Sequence, residues 1–373
     1  MIYLDYSATT PVNEEVLDTF YRVTKDYIGN PNSLHKLGLE AKKIIDKSTN
    51  IIASILKVSS KEVIYTSGAS ESNNMAIKGI CLKYQNRGKH IITTNLEHSS
   101  VIAPISYLQN LGFEIDFVKL DENGLVDLDD LEKLLRDDTI LVSIASVNSE
   151  VGVRQPIEQI AKIIKEKNHK TFFHTDITQS IGKDNIDLSL VDLASFSAQK
   201  FYGIKGIGCL IKKESIVIDP LIHGGKSTTI YRSGTPPTGL IVSIAKALKL
   251  IYEDFDKKNK HVSELNKYLK EKLELNSKIH INSNSYCIPH ILNISILGVK
   301  PETMQHALET HDIYISTKTA CSSSENISDA VYAVTNNKDY AKSSVRISLS
   351  YLTTYEEIDN FVSSLNLEID KLC

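Results

Sequence analysis

The feature that most constrains this chain is an alternation of two periodicities that runs from about residue 44 to residue 211. Short apolar and β-branched runs recur at residues 62–65, 90–93, 114–120, 140–145, 171–174, 193–197 and 207–211. Several are almost continuously apolar, as in strands covered on both faces. Between them apolar residues return at helical spacing. Ile44, Ile45, Ser48, Ile51, Ile52 and Ile55 share one face, as do Ile77, Ile80, Cys81 and Tyr84. Strand and helix in turn predict an α/β fold around a mostly parallel, seven-stranded sheet.

The pattern changes after about residue 240. A long Lys/Glu-rich helix is expected over residues 241–275, then strands at 291–296 and 344–349. The last helix opens with a capping box from Thr354 to Glu357 and carries Ile358, Phe361, Val362, Leu365 and Ile369 on one face. The expected division is a large domain over 13–250 and a small α+β domain built from 1–12 and 251–373.

Composition narrows the function classes. A net charge of −4 over 373 residues gives no electrostatic reason to bind nucleic acid or a membrane directly. No two of Cys81, Cys209, Cys287, Cys321 and Cys373 stand two to four residues apart, so the spacing reads as no zinc site and no metal is expected. An odd, sparse set of thiols fits a reducing, cytoplasmic setting. The first residues include Asp5 and no basic segment before an apolar run, unlike a signal peptide. No apolar run approaches the roughly 20 residues that span a bilayer.

Three segments carry chemistry. Ser67-Gly68-Ala69-Ser70-Glu71-Ser72-Asn73 ends a strand and starts a helix, where N–H groups and the helix dipole suit a phosphate; the segment is equally readable as a well-capped helix. The strand ends at Asp176 and Ser197 place polar groups where open α/β sheets bind ligands. Lys200, just beyond the second, can form a Schiff base with an aldehyde cofactor, and Asp176 can keep a pyridinium nitrogen protonated.

With these residues in view, the chain resembles the cysteine desulfurases of the class-V aminotransferase family (NifS/IscS-like, with a long cysteine loop). The likeness rests on residues 3–11, Gly29-Asn30-Pro31, residues 66–72, Glu97-His98, Asn148-Ser149-Glu150-Val151-Gly152, Asp176 to Gln179, Arg232-Ser233-Gly234-Thr235, Ala320-Cys321 and residues 345–349. It implies a fold-type-I homodimer, with pyridoxal 5'-phosphate as cofactor and L-cysteine as substrate. Lys200 would be the Schiff-base lysine, Asp176 the partner of the ring nitrogen and Gln179 that of the ring hydroxyl. His98 would lie over the ring and shuttle protons. Ala69, Ser70, Ser197 and Gln199 would hold the phosphate, with Thr235 supplied across the dimer. Arg346 would clamp the substrate carboxylate, with Ser149 and Asn30 beside it. Cys321, followed by the polar run Ser322-Ser323-Ser324, would take the sulfur as a persulfide. The acceptor would be an iron–sulfur scaffold or a tRNA-thiolating enzyme, a choice the short stretch after the last helix leaves open.

The chain departs from the family pattern at four places. Gln199 stands where a histidine is usual, and Ser149 replaces an asparagine. The glycine-rich stretch reads Gly224-Gly225-Lys226-Ser227-Thr228, and Lys318 puts a charge near the Cys321 thiol. Two other readings follow from these changes: a different aminotransferase or lyase reaction on the same cofactor, or a degenerate, non-catalytic member of the family.

Overall fold

The computed structural model describes residues 1–317 and 327–372. After β1 (Ile2–Tyr3), α1 (Glu14–Asp26) and α2 (Lys36–Leu56) comes the alternation expected: β2 (Val63–Thr66), α3 (Ala69–Tyr84), β3 (His90–Thr93), α4 (Ser99–Gln109), β4 (Glu114–Phe117), α5 (Leu128–Leu134), β5 (Thr139–Ser143), α6 (Ile157–Lys167), β6 (Phe172–Asp176), β7 (Leu193–Ser197) and β8 (Gly208–Lys212). Strands β2 to β8 form one seven-stranded sheet in the order β2-β8-β7-β6-β5-β3-β4. Only β8 runs against its neighbours. The carboxyl ends of the other six strands therefore share one edge.

Successive strand residues point to opposite faces, and both faces are covered. Ile92, Val142, Phe173 and Ile211 pack beneath α2, α6 and α7. Ile91, Leu141, Leu193 and Leu210 pack against α3 and α4. That double burial is why these strands read as unbroken apolar runs. Gly208 is required at the start of β8: a Cβ there would stand 2.5 Å from the Phe196 carbonyl oxygen and 2.7 Å from Gly68 Cα. The close approach seats the turn before α3 against the end of β7.

The remainder comprises α7 (Thr238–Tyr252), α8 (Phe255–Leu273), β9 (Ile279–Ile281), β10 (Ile291–Ile296), α9 (Pro301–Glu309), β11 (Ile313–Tyr314), α10 (Asp329–Thr335), α11 (Lys338–Lys342), β12 (Ser344–Ser348) and α12 (Tyr355–Leu372). An antiparallel sheet β12-β10-β9 and the β1–β11 pair share a separate core with α8, α9 and α12. Leu4, from the N-terminal segment, belongs to this second core. The capping box of α12 forms as expected, with Thr354 N–H on Glu357 Oε2 at 2.8 Å and Glu357 N–H on Thr354 Oγ1 at 3.2 Å.

The single helix expected over 241–275 is instead two. The break is at Asp254, whose φ of 56° is left-handed. The physical reason is a change of core. Ile241, Ile244 and Leu248 of α7 pack with the large sheet, whereas Val262, Leu265 and Leu269 of α8 pack with the second core. Lys258 covers the exposed end of α7 by donating to the Leu250 and Glu253 carbonyls. Among the described residues no helix is long and apolar enough to cross a membrane.

Candidate active site

Five of the shared strand ends open onto one cavity of about 450 Å³, a size suited to a small molecule. β6 delivers Asp176 and β7 delivers Ser197. A single 3₁₀ turn, Ala198–Lys200, then carries Lys200 over the edge. β2 leads into α3, β3 into the loop bearing His98, and β5 into the loop bearing Ser149.

Asp176 is held from two sides. Its Oδ2 accepts from Asn73 Nδ2 at 2.8 Å, and its Oδ1 accepts from the Thr178 N–H at 2.9 Å. Asn73 Nδ2 also donates to Ser100 Oγ at 2.9 Å, tying α3 to α4 behind the acid. Lys200 Nζ donates to the carbonyls of Ser7 and Ala8, each at 2.7 Å. Burial, then the Arg346 charge, bring its pKa down to about 8, with Asp176 and Asp5 opposing. Such a depression is what gives a lysine free amine near neutral pH.

Gln179 Nε2 donates to the Ser7 carbonyl at 3.0 Å, and its Oε1 accepts from Lys183 Nζ at 2.9 Å. His98 caps α4: its Nδ1 accepts from the Ser100 N–H at 3.1 Å, so the neutral ring carries its proton on Nε2. The ring is exposed toward the cavity, yet desolvation by its surroundings lowers its pKa; Asp176 opposes this and Lys200 adds to it. Beside it, burial pushes Glu97 up to about 8. Its carboxyl takes hydrogen bonds from the Ala145 N–H and the Thr94 hydroxyl and so braces the His98 loop.

Also lining the cavity, Ala69 and Ser70 open α3, and Gly68 before them has no side chain to cap it. Helix-start N–H groups are thus left for an anion, with Ser197 alongside. Arg346, on β12 of the second sheet, is 4% exposed. Its Nη2 meets Asp5 Oδ1 at 2.7 Å and its Nη1 donates to the Ser149 carbonyl at 2.9 Å. Arg346 Nε and the buried hydroxyls of Ser7 and Thr178 have no hydrogen-bond partner among the described residues. All three residues line the cavity. Buried polar atoms are normally paired, so these orphans mark a place built for polar ligand atoms. The donor set fits a phosphorylated pyridine aldehyde: an amine with depressed pKa, a twice-anchored carboxylate and an uncapped helix start.

The cavity therefore brings together Lys200, Asp176, Gln179, His98, Ala69, Ser70, Ser197, Gln199, Ser149 and Arg346. It does not include Asn30 or Thr235. Asn30 is exposed, and its Oδ1 accepts from the Asn32 N–H at 2.9 Å. Thr235 is exposed three residues after Arg232, which reaches Glu71 of α3 at 3.0 Å. Cys321 lies outside the described residues. Three residues to which the sequence assigns no role of their own hold residues that line the site: Asn73 holds Asp176, Lys183 holds Gln179 and Asp5 holds Arg346. Asn73 sits one helical turn beyond Ala69, a spacing that could have revealed it. Lys183 similarly follows Gln179 by four. Asp5 meets Arg346 across 341 positions, and no local pattern signals that.

The description "Aminotransferase class-V" matches residues 2–361 of this chain. A cysteine desulfurase IscS of Dictyoglomus turgidum is 39% identical over 376 residues, spanning 100% of this chain and 95% of the relative. A mitochondrial cysteine desulfurase of Eremothecium gossypii is 37% identical over 100% of this chain and 76% of its own length. Among solved structures, a NifS-like protein superposes with a TM-score of 0.94 at 36% identity, each chain fully covered. SspA in complex with cysteine gives a TM-score of 0.83 at 31% identity, over 95% of this chain and 100% of that one.

Proposed function

The chain belongs to the class-V aminotransferase family, and on that premise we propose that it is a pyridoxal-phosphate-dependent cysteine desulfurase acting through Cys321. It removes sulfur from L-cysteine and leaves L-alanine. The observation that carries the reading is the convergence of Lys200, Asp176 and Arg346 on one cavity, with the lysine amine depressed toward neutrality. A different aminotransferase or lyase reaction is not favoured, because the full-length relatives are cysteine desulfurases. A decayed, non-catalytic member would have no need to keep both a desolvated lysine and a doubly anchored Asp176.

Lys200 would hold the cofactor aldehyde, with Asp176 the residue for the ring nitrogen and Gln179 for the ring hydroxyl. The first turn of α3, with Ser197 and Gln199, would hold the phosphate. When bound, pyridoxal phosphate supplies an electron sink that loosens bonds at the substrate α-carbon. Arg346 takes the substrate carboxylate through its guanidinium, whose Nε is unpaired among the described residues, while Asp5 and the Ser149 carbonyl fix its plane. The Ser149 contact is through its main chain, so the shorter side chain at this position leaves that part of the clamp intact. Lys200 and His98 Nε2 are the groups positioned to move protons above the cavity floor. Cys321 attacks the substrate sulfur: the C–S bond breaks, an S–S bond forms, and L-cysteine with the Cys321 thiol becomes L-alanine with a Cys321 persulfide.

Three further parts complete the reading. The working unit is a homodimer in which Thr235 of one protomer reaches the phosphate site of the other, consistent with its exposure outside its own cavity. Residues 13–250 form the cofactor-binding domain, and 1–12 with 251–373 form the small domain that carries Arg346 and Cys321. Sulfur passes from the persulfide to an iron–sulfur scaffold or a tRNA-thiolating enzyme in the cytoplasm. The direct test measures alanine and sulfide from L-cysteine with a thiol reductant. Equal amounts that vanish in Cys321→Ala are expected; a cofactor-loaded protein that releases neither would sink the reading.

A further inference from the structure

Lys183 follows Gln179 by four residues in the turn after β6 and is only 9% exposed. A buried lysine is rare, because desolvating its ammonium is costly unless an anion sits beside it. No carboxylate lies within ion-pair distance of Lys183 among the described residues; its hydrogen bond goes to Gln179 Oε1 at 2.9 Å. The charged and titratable groups that act on it are cationic or become so: Lys200 and Arg346 at the cavity, and buried His290 from the loop before β10. Burial, then Lys200 and Arg346, bring its pKa down to about 7. A lysine retained for packing alone would be replaced by an apolar residue without loss. This one sits in an unfavourable place and spends its donor on a residue lining the cavity.

The two contacts of Gln179 fix its carboxamide. The Ser7 carbonyl can only accept, so it takes the amide N–H; an amine donates, so Lys183 takes the amide oxygen. We propose that Lys183 is a positioning residue, which locks the Gln179 carboxamide with its nitrogen toward the cavity so that a donor always faces the cofactor ring hydroxyl. A neutral amine donates as an ammonium does, so the lock persists as Lys183 loses its charge. The inference rests on the reading that Gln179 meets that hydroxyl.

The test is a pH titration of the visible absorption band of the cofactor-loaded protein, comparing Gln179→Leu, Lys183→Met and the double variant. A donor on the ring hydroxyl oxygen competes with the proton on the lysine-linked nitrogen, so losing it raises the midpoint. One net hydrogen bond corresponds to a shift of up to about one pH unit. Gln179→Leu is expected to show that shift, and Lys183→Met a smaller one in the same direction. The double variant should match Gln179→Leu alone, because Lys183 acts through Gln179. Lys183→Gln, one atom shorter but still a donor, should stay nearer the parent than the methionine variant does, and it carries the test alone if Lys183→Met fails to fold. A midpoint unmoved by either Lys183 change, while Gln179→Leu shifts, would overturn the proposal and leave the Gln179 reading standing. Additive shifts in the double variant would also overturn it. If no variant moves the midpoint, the Gln179 reading fails and the proposal with it.

Discussion

The two walls of the cavity are built in opposite ways. The proposed cofactor wall is built at strand ends of one sheet: Asp176 and Ser197 close β6 and β7, and Lys200 and the start of α3 follow β7 and β2 within a few residues. The proposed substrate wall is a meeting of distant segments. Arg346 of β12 is held by Asp5 across 341 positions and by Ser149 across 197. The first wall inherits its geometry from a packed sheet. The second depends on an ion pair between two segments of the second core and a loop of the first. Damage to the two should therefore be separable: the cofactor wall in cofactor capture, the substrate wall in the KM for cysteine.

The largest expected effect is on the cofactor wall. Lys200→Ala should lose the visible band of the linked cofactor and all detectable alanine release, with the fold retained by circular dichroism. On the substrate wall, Arg346→Met removes a charged two-point contact worth about 1.5–3 kcal/mol. Steady-state kinetics should show the KM for cysteine rising roughly 10- to 100-fold, with the cofactor spectrum unchanged; a change confined to the spectrum would erase the distinction between the walls. Gly208→Ala forces a Cβ into the Phe196 carbonyl and Gly68. Overpacking of this kind costs about 1–3 kcal/mol, to be read from denaturant midpoints, and should weaken cofactor binding by displacing the start of α3. The smallest effect is expected from Asn73→Ala, which takes one donor from Asp176. About 0.5–1.5 kcal/mol is at stake, visible as a modest loss of cofactor affinity with KM unaltered.

The pH dependence sharpens the same contrast. Lys200 must be neutral to attack an aldehyde, and its pKa is lowered to about 8. Below that value it is mostly protonated; above it the free amine predominates. The rate of cofactor capture by the cofactor-free protein should rise through about pH 8 and then level off, whereas an ordinary lysine would need about pH 10.4. Stopped-flow absorbance checks this, and a rate still climbing steeply above pH 9 would contradict the depressed lysine.

This asymmetry also decides how much the sequence revealed. The large sheet was legible because burial on both faces wrote each strand as an apolar run, and its ends as polar punctuation. The positions of Asp176, Ser197 and Lys200 came with it. The helix over 241–275 was misjudged because a continuous helical period does not register a change of core at Asp254. Asp5 escapes such a reading for a different reason: its contact with Arg346 is made only by the folded chain. The roles of Arg346 and Cys321 came from family resemblance, not from any local signal.

The central claim is that sulfur leaves cysteine and lodges on Cys321. Its most direct test is intact mass and peptide mapping of the cofactor-loaded protein after L-cysteine is added without reductant. The expected result is one added sulfur atom on the Cys321 peptide, with one alanine formed per chain. Alanine formed with the added sulfur on Cys287 or another cysteine, or no added sulfur at all, would contradict the account.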